Sequence, residues 1–235
     1  MPVIRLMLVA FVLFAPSTVM AQEWDNFMST EDRFSITFPG QPSVQEIKWP
    51  SEYGAVFPGR VYSAKAGMGS YSVTVIDYRN SEKLHAAIPK AESFTDPRYW
   101  QIDIQASIQY AATKFRQRAG AKVTYDAWHY IDLVEGHMLQ LTNQDSSRSF
   151  ISIYLHENRL YIVEATVPQG YPQPGLFQQN LSFLDEKGMR VRYNEIYSNR
   201  LPPLPARGGG PGRGGAGGAG GAGGAGRGNE NRSGY

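Results

Sequence analysis

Eight short stretches of this 235-residue chain read as strands, with period-two alternation plainest at 34–38 and 70–79, whereas a single long stretch carries the helical spacing of three and four. A chain patterned in this way has to build a sheet and lay a helix upon it. The strands are expected at 34–38, 44–49, 60–65, 70–79, 122–130, 136–143, 148–156 and 160–167. Phe34, Ile36 and Phe38 alternate with Ser35 and Thr37 and stop at Pro39-Gly40-Gln41-Pro42, a half-buried strand that runs into a turn. In 70–79, Tyr71, Val73 and Val75 face one side, and Ser72, Thr74 and Ile76 face the other. Gly67-Met68-Gly69 supplies the positive φ that a tight reversal needs, and Glu157-Asn158-Arg159 divides 150–167 into a hairpin.

The long helix is expected to open at Asp96-Pro97, an N-cap residue followed by proline at the first helical position. Ile104, Ile108, Ala111, Phe115 and Ala119 then form one apolar stripe, Lys114, Arg116 and Arg118 suit the negative end of the dipole, and Gly120 ends the helix. Leu176, Phe177, Leu181 and Leu184 suggest a short second helix over 175–185, and Val191 and Tyr193 a last extended piece. The expected fold class is α+β, a β-sheet flanked by one long and one short helix.

Residues 1–21 read as a secretory signal: Arg5 near the amino end, an apolar run over 6–15, and small residues at Val19-Met20-Ala21. The run is ten residues, short of the roughly 20 that span a bilayer, so no stable membrane anchor is expected once the signal is cleaved. One arginine in that stretch rules out a twin-arginine signal, and with no cysteine in the chain there is neither a lipid attachment point nor a disulfide. Stability must come from an apolar core. Residues 22–200 are expected to form one domain, large enough to bury roughly 70% of the unfolded surface. Residues 201–235 are expected to be a Pro/Gly-rich disordered tail: polyproline at 201–205, then repeated Gly-Gly-Ala. Residues 22–205 hold 18 Lys and Arg against 20 Asp and Glu, while the tail holds four arginines against Glu230. The basic excess therefore belongs to the tail, and a near-neutral body argues against nucleic acid as a partner.

The segment Phe34-Ser35-Ile36-Thr37-Phe38-Pro39-Gly40-Gln41-Pro42, the order of strands and helices after it, and the closing Asn180-Leu181-Ser182-Phe183-Leu184 resemble bacterial exported proteins with the PsbP-like α/β sandwich, over residues 24 to about 187. The resemblance implies an antiparallel sheet flanked by helices. It carries over no binding residues and no photosystem role.

The chemistry-bearing residues are sparse. His85, His129, His137 and His156 lack metal-ligand spacing. His129 and His137 are the candidate metal pair, with Asp126, Asp132 or Glu135, and the plainer reading is exposed strand histidines. No Gly-x-Ser-x-Gly elbow exists, Gly67-Met68-Gly69-Ser70 lacks the lysine and helix of a phosphate loop, and thiol chemistry is excluded. Trp24, Trp49, Tyr53 and Phe57 flank a Pro/Gly-rich loop and form the candidate interaction patch. The tail arginines suit a solvated segment, or contact with anionic lipid or cell-wall polymer.

The expectation is an exported, non-enzymatic binding or accessory module of the bacterial periplasm or envelope, with no cofactor and with an envelope protein or polymer as its partner. The alternatives are a metal-assisted hydrolase built on His129 and His137, and a surface or matrix protein acting through its glycine tail.

Overall fold

The computed structural model describes residues 23–88, 98–199 and 201–202. The expected signal peptide, the Asp96-Pro97 helix start and the glycine-rich tail lie outside the described residues. Strands β1 (Trp24–Ser29), β2 (Phe34–Pro39), β3 (Ser43–Pro50), β4 (Val56–Ala66) and β5 (Gly69–Asp77) are followed by helices α1 (Ser81–Ala86) and α2 (Tyr99–Arg116). Then come β6 (Lys122–Ile131), β7 (Val134–Thr142), β8 (Arg148–His156), β9 (Arg159–Val167), a single helical turn α3 (Gly175–Gln179) and β10 (Ser182–Phe183). A three-stranded sheet has the order β1-β2-β10, a seven-stranded sheet has the order β3-β4-β5-β9-β8-β7-β6, and every strand pairing is antiparallel. The fold class is α+β. No helix of the described residues is long and apolar enough to cross a membrane.

The large sheet is a partition between two cores, and the period of its strands decides which residue serves which. Tyr71, Val73 and Val75 of β5 lie opposite Ala165, Val163 and Tyr161 of β9, and with Tyr154 they bury Phe34, Ile36 and Phe38 of the small sheet. One residue along, Ile76, Leu160, Ile162, Ile151 and Ile153 face the other way and pack against Ile104, Ala111 and Ala112 of α2. Shifting any of these strands by one residue would exchange the two cores.

The turns follow the expected chemistry in part. Gly67, with φ of 55°, takes the first central position of the β4–β5 turn. The β6–β7 and β8–β9 turns instead place Asp132-Leu133 and Glu157-Asn158 at positive φ, the primed geometry without glycine.

The long helix begins at Tyr99 with no side-chain cap and ends at Arg116. Ile104 and Ala111 are buried as expected, and Ile108 and Phe115 pack partly against the core. Ala119 is exposed beyond the helix end. The buried face also carries Gln101, Asp103 and Ser107, which the apolar stripe did not mark. Each has a partner: Asp103 takes His85 of α1 at 2.8 Å, Gln101 donates to the Pro202 carbonyl at 3.0 Å, and Ser107 donates back to Ile104 O at 2.7 Å.

Three other expectations are corrected. The second helix stops at Gln179, because Ser182 and Phe183 pair with Ser35 and Phe34 of β2, and an open strand edge outweighs a weak helical period. Val191 and Tyr193 belong to no strand, although the Val191 amide donates to Phe183 O at 2.8 Å. Leu201, placed in the tail by composition, packs partly against the helix-side core.

Gly136 of β7 lies opposite Tyr154, and a Cβ there would collide with the Tyr154 ring and the Ile153 carbonyl. Gly136→Ala is therefore expected to destabilise the domain by about 1–3 kcal/mol through overpacking, read as a lower midpoint with unchanged slope in urea denaturation.

Candidate ligand-binding site

A cavity of about 1020 Å³ sits at the β8–β9 turn and is lined by Arg33, Arg79 and Arg159 together with Glu157, Glu186 and the segment 193–199. Its position follows from local geometry. The left-handed pair Glu157-Asn158 closes the hairpin so that His156 and Arg159 face each other across it. Arg159 thereby opens β9 opposite Asp77, the last residue of β5. Arg79 follows two residues after Asp77 and grips its carboxylate with Nε at 2.9 Å and Nη2 at 2.6 Å. Arg33, itself at φ of 57°, precedes β2 and accepts the Leu184 amide on its carbonyl at 2.9 Å.

The far wall is the chain after β10, strapped over the hairpin ends. The Tyr197 amide donates to Leu133 O, the Glu157 amide to the Tyr197 hydroxyl at 2.9 Å, and the Asn158 amide to Asn199 Oδ1 at 3.0 Å. Beneath it His156 is fully buried, stacked on Phe183 at 4.4 Å and tilted against Tyr197 at 4.7 Å. Its Nε2 lies 2.6 Å from the Tyr193 hydroxyl, and its Nδ1 has no partner.

The electrostatics of the cavity are uneven. Burial would raise Asp77, but the Arg79 guanidinium and amide outweigh it and hold the carboxyl below its usual range. Burial, then the charges of Arg159 and Arg33, push His156 down to about 4, so it stays neutral. Burial and then Tyr197 and Glu157 push Tyr193 up to about 12. Arg159 is 2% exposed, and desolvation lowers its affinity for a proton. Its ion pair among the described residues is a long one, Nη1 to Glu157 Oε2 at 3.6 Å, and its Nε is buried without a hydrogen-bond partner.

The sequence-based candidates fare differently. His137 lies opposite Trp128 and His129 opposite Gly136, so in this hairpin the two imidazoles face opposite sides of the sheet. His137 is buried on the α2 side, its Nε2 against Asp126 and 3.0 Å from Arg116 Nη2, its Nδ1 3.4 Å from the Gln109 amide. His129 sits near Tyr154 on the other side. Arg116 grips Asp126 with Nε at 2.6 Å and Nη2 at 2.9 Å and, with His137, holds its carboxyl down to about 2. Asp132 is taken by Arg190 at 2.8 Å. The His129–His137 metal pair is thus overturned, and among the described residues no three His, Cys, Asp or Glu gather as a metal would need. The plainer reading of exposed strand histidines fails too, since His137 and His156 are buried.

The aromatic patch is not one surface. Phe57 is fully buried in the helix-side core, Trp49 is half-buried against Tyr110, and Tyr53 is half-buried beside Tyr99. Trp24 is exposed, but on the small sheet, edge-on to Tyr71 at 5.0 Å. Exposed aromatics instead lie along the outer strand β6, at Tyr125, Trp128 and Tyr130. The arginine cavity was not read from the sequence: Glu157-Asn158-Arg159 signalled only a turn, and Arg33, Arg79 and 193–199 meet it only in three dimensions.

No protein-family model matches the chain, and no curated protein matches it. Cyanobacterial PsbP from Synechocystis sp. PCC 6803 is similar at 11% identity, over 67% of this chain and 88% of that one, with a TM-score of 0.36. A Pseudomonas aeruginosa protein of unknown function is similar at 12% identity, over 63% and 84%, with a TM-score of 0.28. Such low TM-scores leave the fold to rest on its own strand order and register.

His156 sets a pH dependence whose sign can be worked out. Its folded pKa of about 4 lies below the unfolded value of about 6.5, so between these the unfolded chain binds more protons. The contribution to stability is whole above pH of about 6.5 and is lost as pH falls towards 4, on the order of 3 kcal/mol in all. Urea denaturation of the native protein and of His156→Phe over that window should show the shallower pH slope in the variant.

Proposed function

We propose that the protein is a non-enzymatic binding or accessory module, exported to the periplasm or envelope, and that the cavity around Arg159 is where it binds. The observation that carries the reading is a buried guanidinium with an unpartnered Nε in the wall of an open cavity. Burying a charge without close pairing costs several kcal/mol, so a fold that keeps one beside a cavity gains by having something bind there. The lining favours binding over catalysis, because the nearby imidazole, His156, is neutral, buried and engaged by Tyr193. Export is supported by the pattern of residues 1–21, and a PsbP-like sandwich by the Phe-Pro-Gly-x-Pro turn, where Gly40 takes a φ of 77°.

Two measurements test the reading. Arg159→Met keeps the apolar stem and removes the buried charge, so its urea midpoint should equal or exceed that of the native protein. Affinity capture from envelope extract should recover a partner with the native protein and with a form ending at Pro205, and lose it with Arg159→Met. A partner lost only on truncation would move function to the glycine tail, and one indifferent to Arg159 would remove function from this cavity.

A further inference from the structure

The counter-charges around the cavity equal the arginines in number, yet none closes on Arg159. Arg79 is committed to Asp77 at 2.6 Å, and Arg33 Nη2 reaches the largely exposed Glu186 at 3.1 Å. Between Arg33 and Arg159 stands a single carboxylate, Glu157, whose Oε2 is 3.7 Å from Arg33 Nη1 and 3.6 Å from Arg159 Nη1. Both distances are too long for a hydrogen bond, and the Glu157 side chain is 42% exposed. A guanidinium presents a planar fork suited to a carboxylate gripped by two parallel bonds. Here the fork of Arg159 is fixed and buried, and the protein's own carboxylate stops short of it.

We propose that this cavity binds a small carboxylate-bearing ligand, whose carboxylate takes the place of Glu157 between Arg159 and Arg33. The proposal rests on the reading of the protein as a binding module and names the ligand class of that same site. Like replaces like: one carboxylate enters as another swings to solvent, so the charge among the guanidinia is unchanged. The lining balances Arg33, Arg79 and Arg159 against Glu157, Glu186 and Glu195, so with Glu157 swung aside it offers a single net positive charge, which one carboxylate matches better than a doubly charged phosphoryl group. A volume of about 1020 Å³ suits a small molecule, and Asn194, Ser198 and the ring of Tyr193 offer polar and aromatic contacts to its remainder.

Calorimetric titration of the exported protein with acetate, succinate and inorganic phosphate at fixed ionic strength tests this. The two carboxylates should bind more tightly than phosphate. Glu157→Gln should tighten them roughly tenfold, the gain expected if the native cavity stands open about one tenth of the time. Arg159→Met should weaken them at least tenfold, and Lys122→Gln, on the exposed far strand, should change nothing. Should Arg159→Met fail to fold, Arg33→Gln takes its place, with weaker carboxylate binding expected. Carboxylate binding indifferent to Glu157→Gln, or phosphate binding the tighter, would overturn the ligand class. Absence of binding by all three probes, with the envelope partner still lost in Arg159→Met, would overturn the ligand class and leave the binding module standing. Absence of both would overturn the two together.

Discussion

The structure depends on β8 and β9 being covered on both faces. These two strands lie at the middle of the seven-stranded sheet, and nearly every residue of each is buried. Even and odd positions must therefore satisfy different cores: Tyr154 and Tyr161 point to the small sheet, and Ile153, Leu160 and Ile162 point to α2. With no disulfide available, these two apolar layers are the main source of stability. The hairpin that joins the strands is consequently held rigid, and whatever its turn presents is held with it.

What the turn presents is a buried charge. Arg159 begins a strand whose next four residues are committed to the cores, so its side chain has little freedom to withdraw, and the Asp77 opposite it is already taken by Arg79. An apolar residue of similar length would fill the same space without the desolvation cost. The carboxylates of Asp103 and Asp32 and the hydroxyl of Ser149 contrast with this: Asp103 has His85, Asp32 has Arg60 and Tyr62, and Ser149 has Thr166. Those are paired closely and tie elements together; Arg159 is paired loosely and faces a cavity. Burial, and then the same positive surroundings, keep His156 neutral, which lets it serve as an aromatic plate beneath Tyr193 and Tyr197.

Much of the architecture was legible in the sequence, because strand alternation reports which faces are covered. The eight expected strands are all present, and the opposition of Tyr71, Val73 and Val75 to Ile76 is the opposition of the two cores. The misses have a common cause. β1 and β10 are short, edge-of-pattern segments that become strands only because β2 offers them an edge on either side. Gln101, Asp103 and Ser107 broke the apolar stripe of α2, yet they are buried because α1 and Pro202 bring partners to Asp103 and Gln101, and Ser107 donates back to its own helix. Trp49 and Phe57 looked like surface because they flank a loop rich in proline and glycine, and α1 and α2 cover them.

The sequence by itself determined that the chain forms antiparallel strands with a helix laid upon a sheet, that no cysteine chemistry contributes, and that the basic excess belongs to the tail. Periodicity and composition are local properties, and they suffice for these conclusions. Only the tertiary structure decided that His129 and His137 face apart, that the candidate aromatic patch is divided between core and surface, and that Arg33, Arg79 and Arg159 share one cavity with the segment 193–199. Charges on separate strands and loops come together through register and chain crossing, and no spacing along one segment encodes such a meeting.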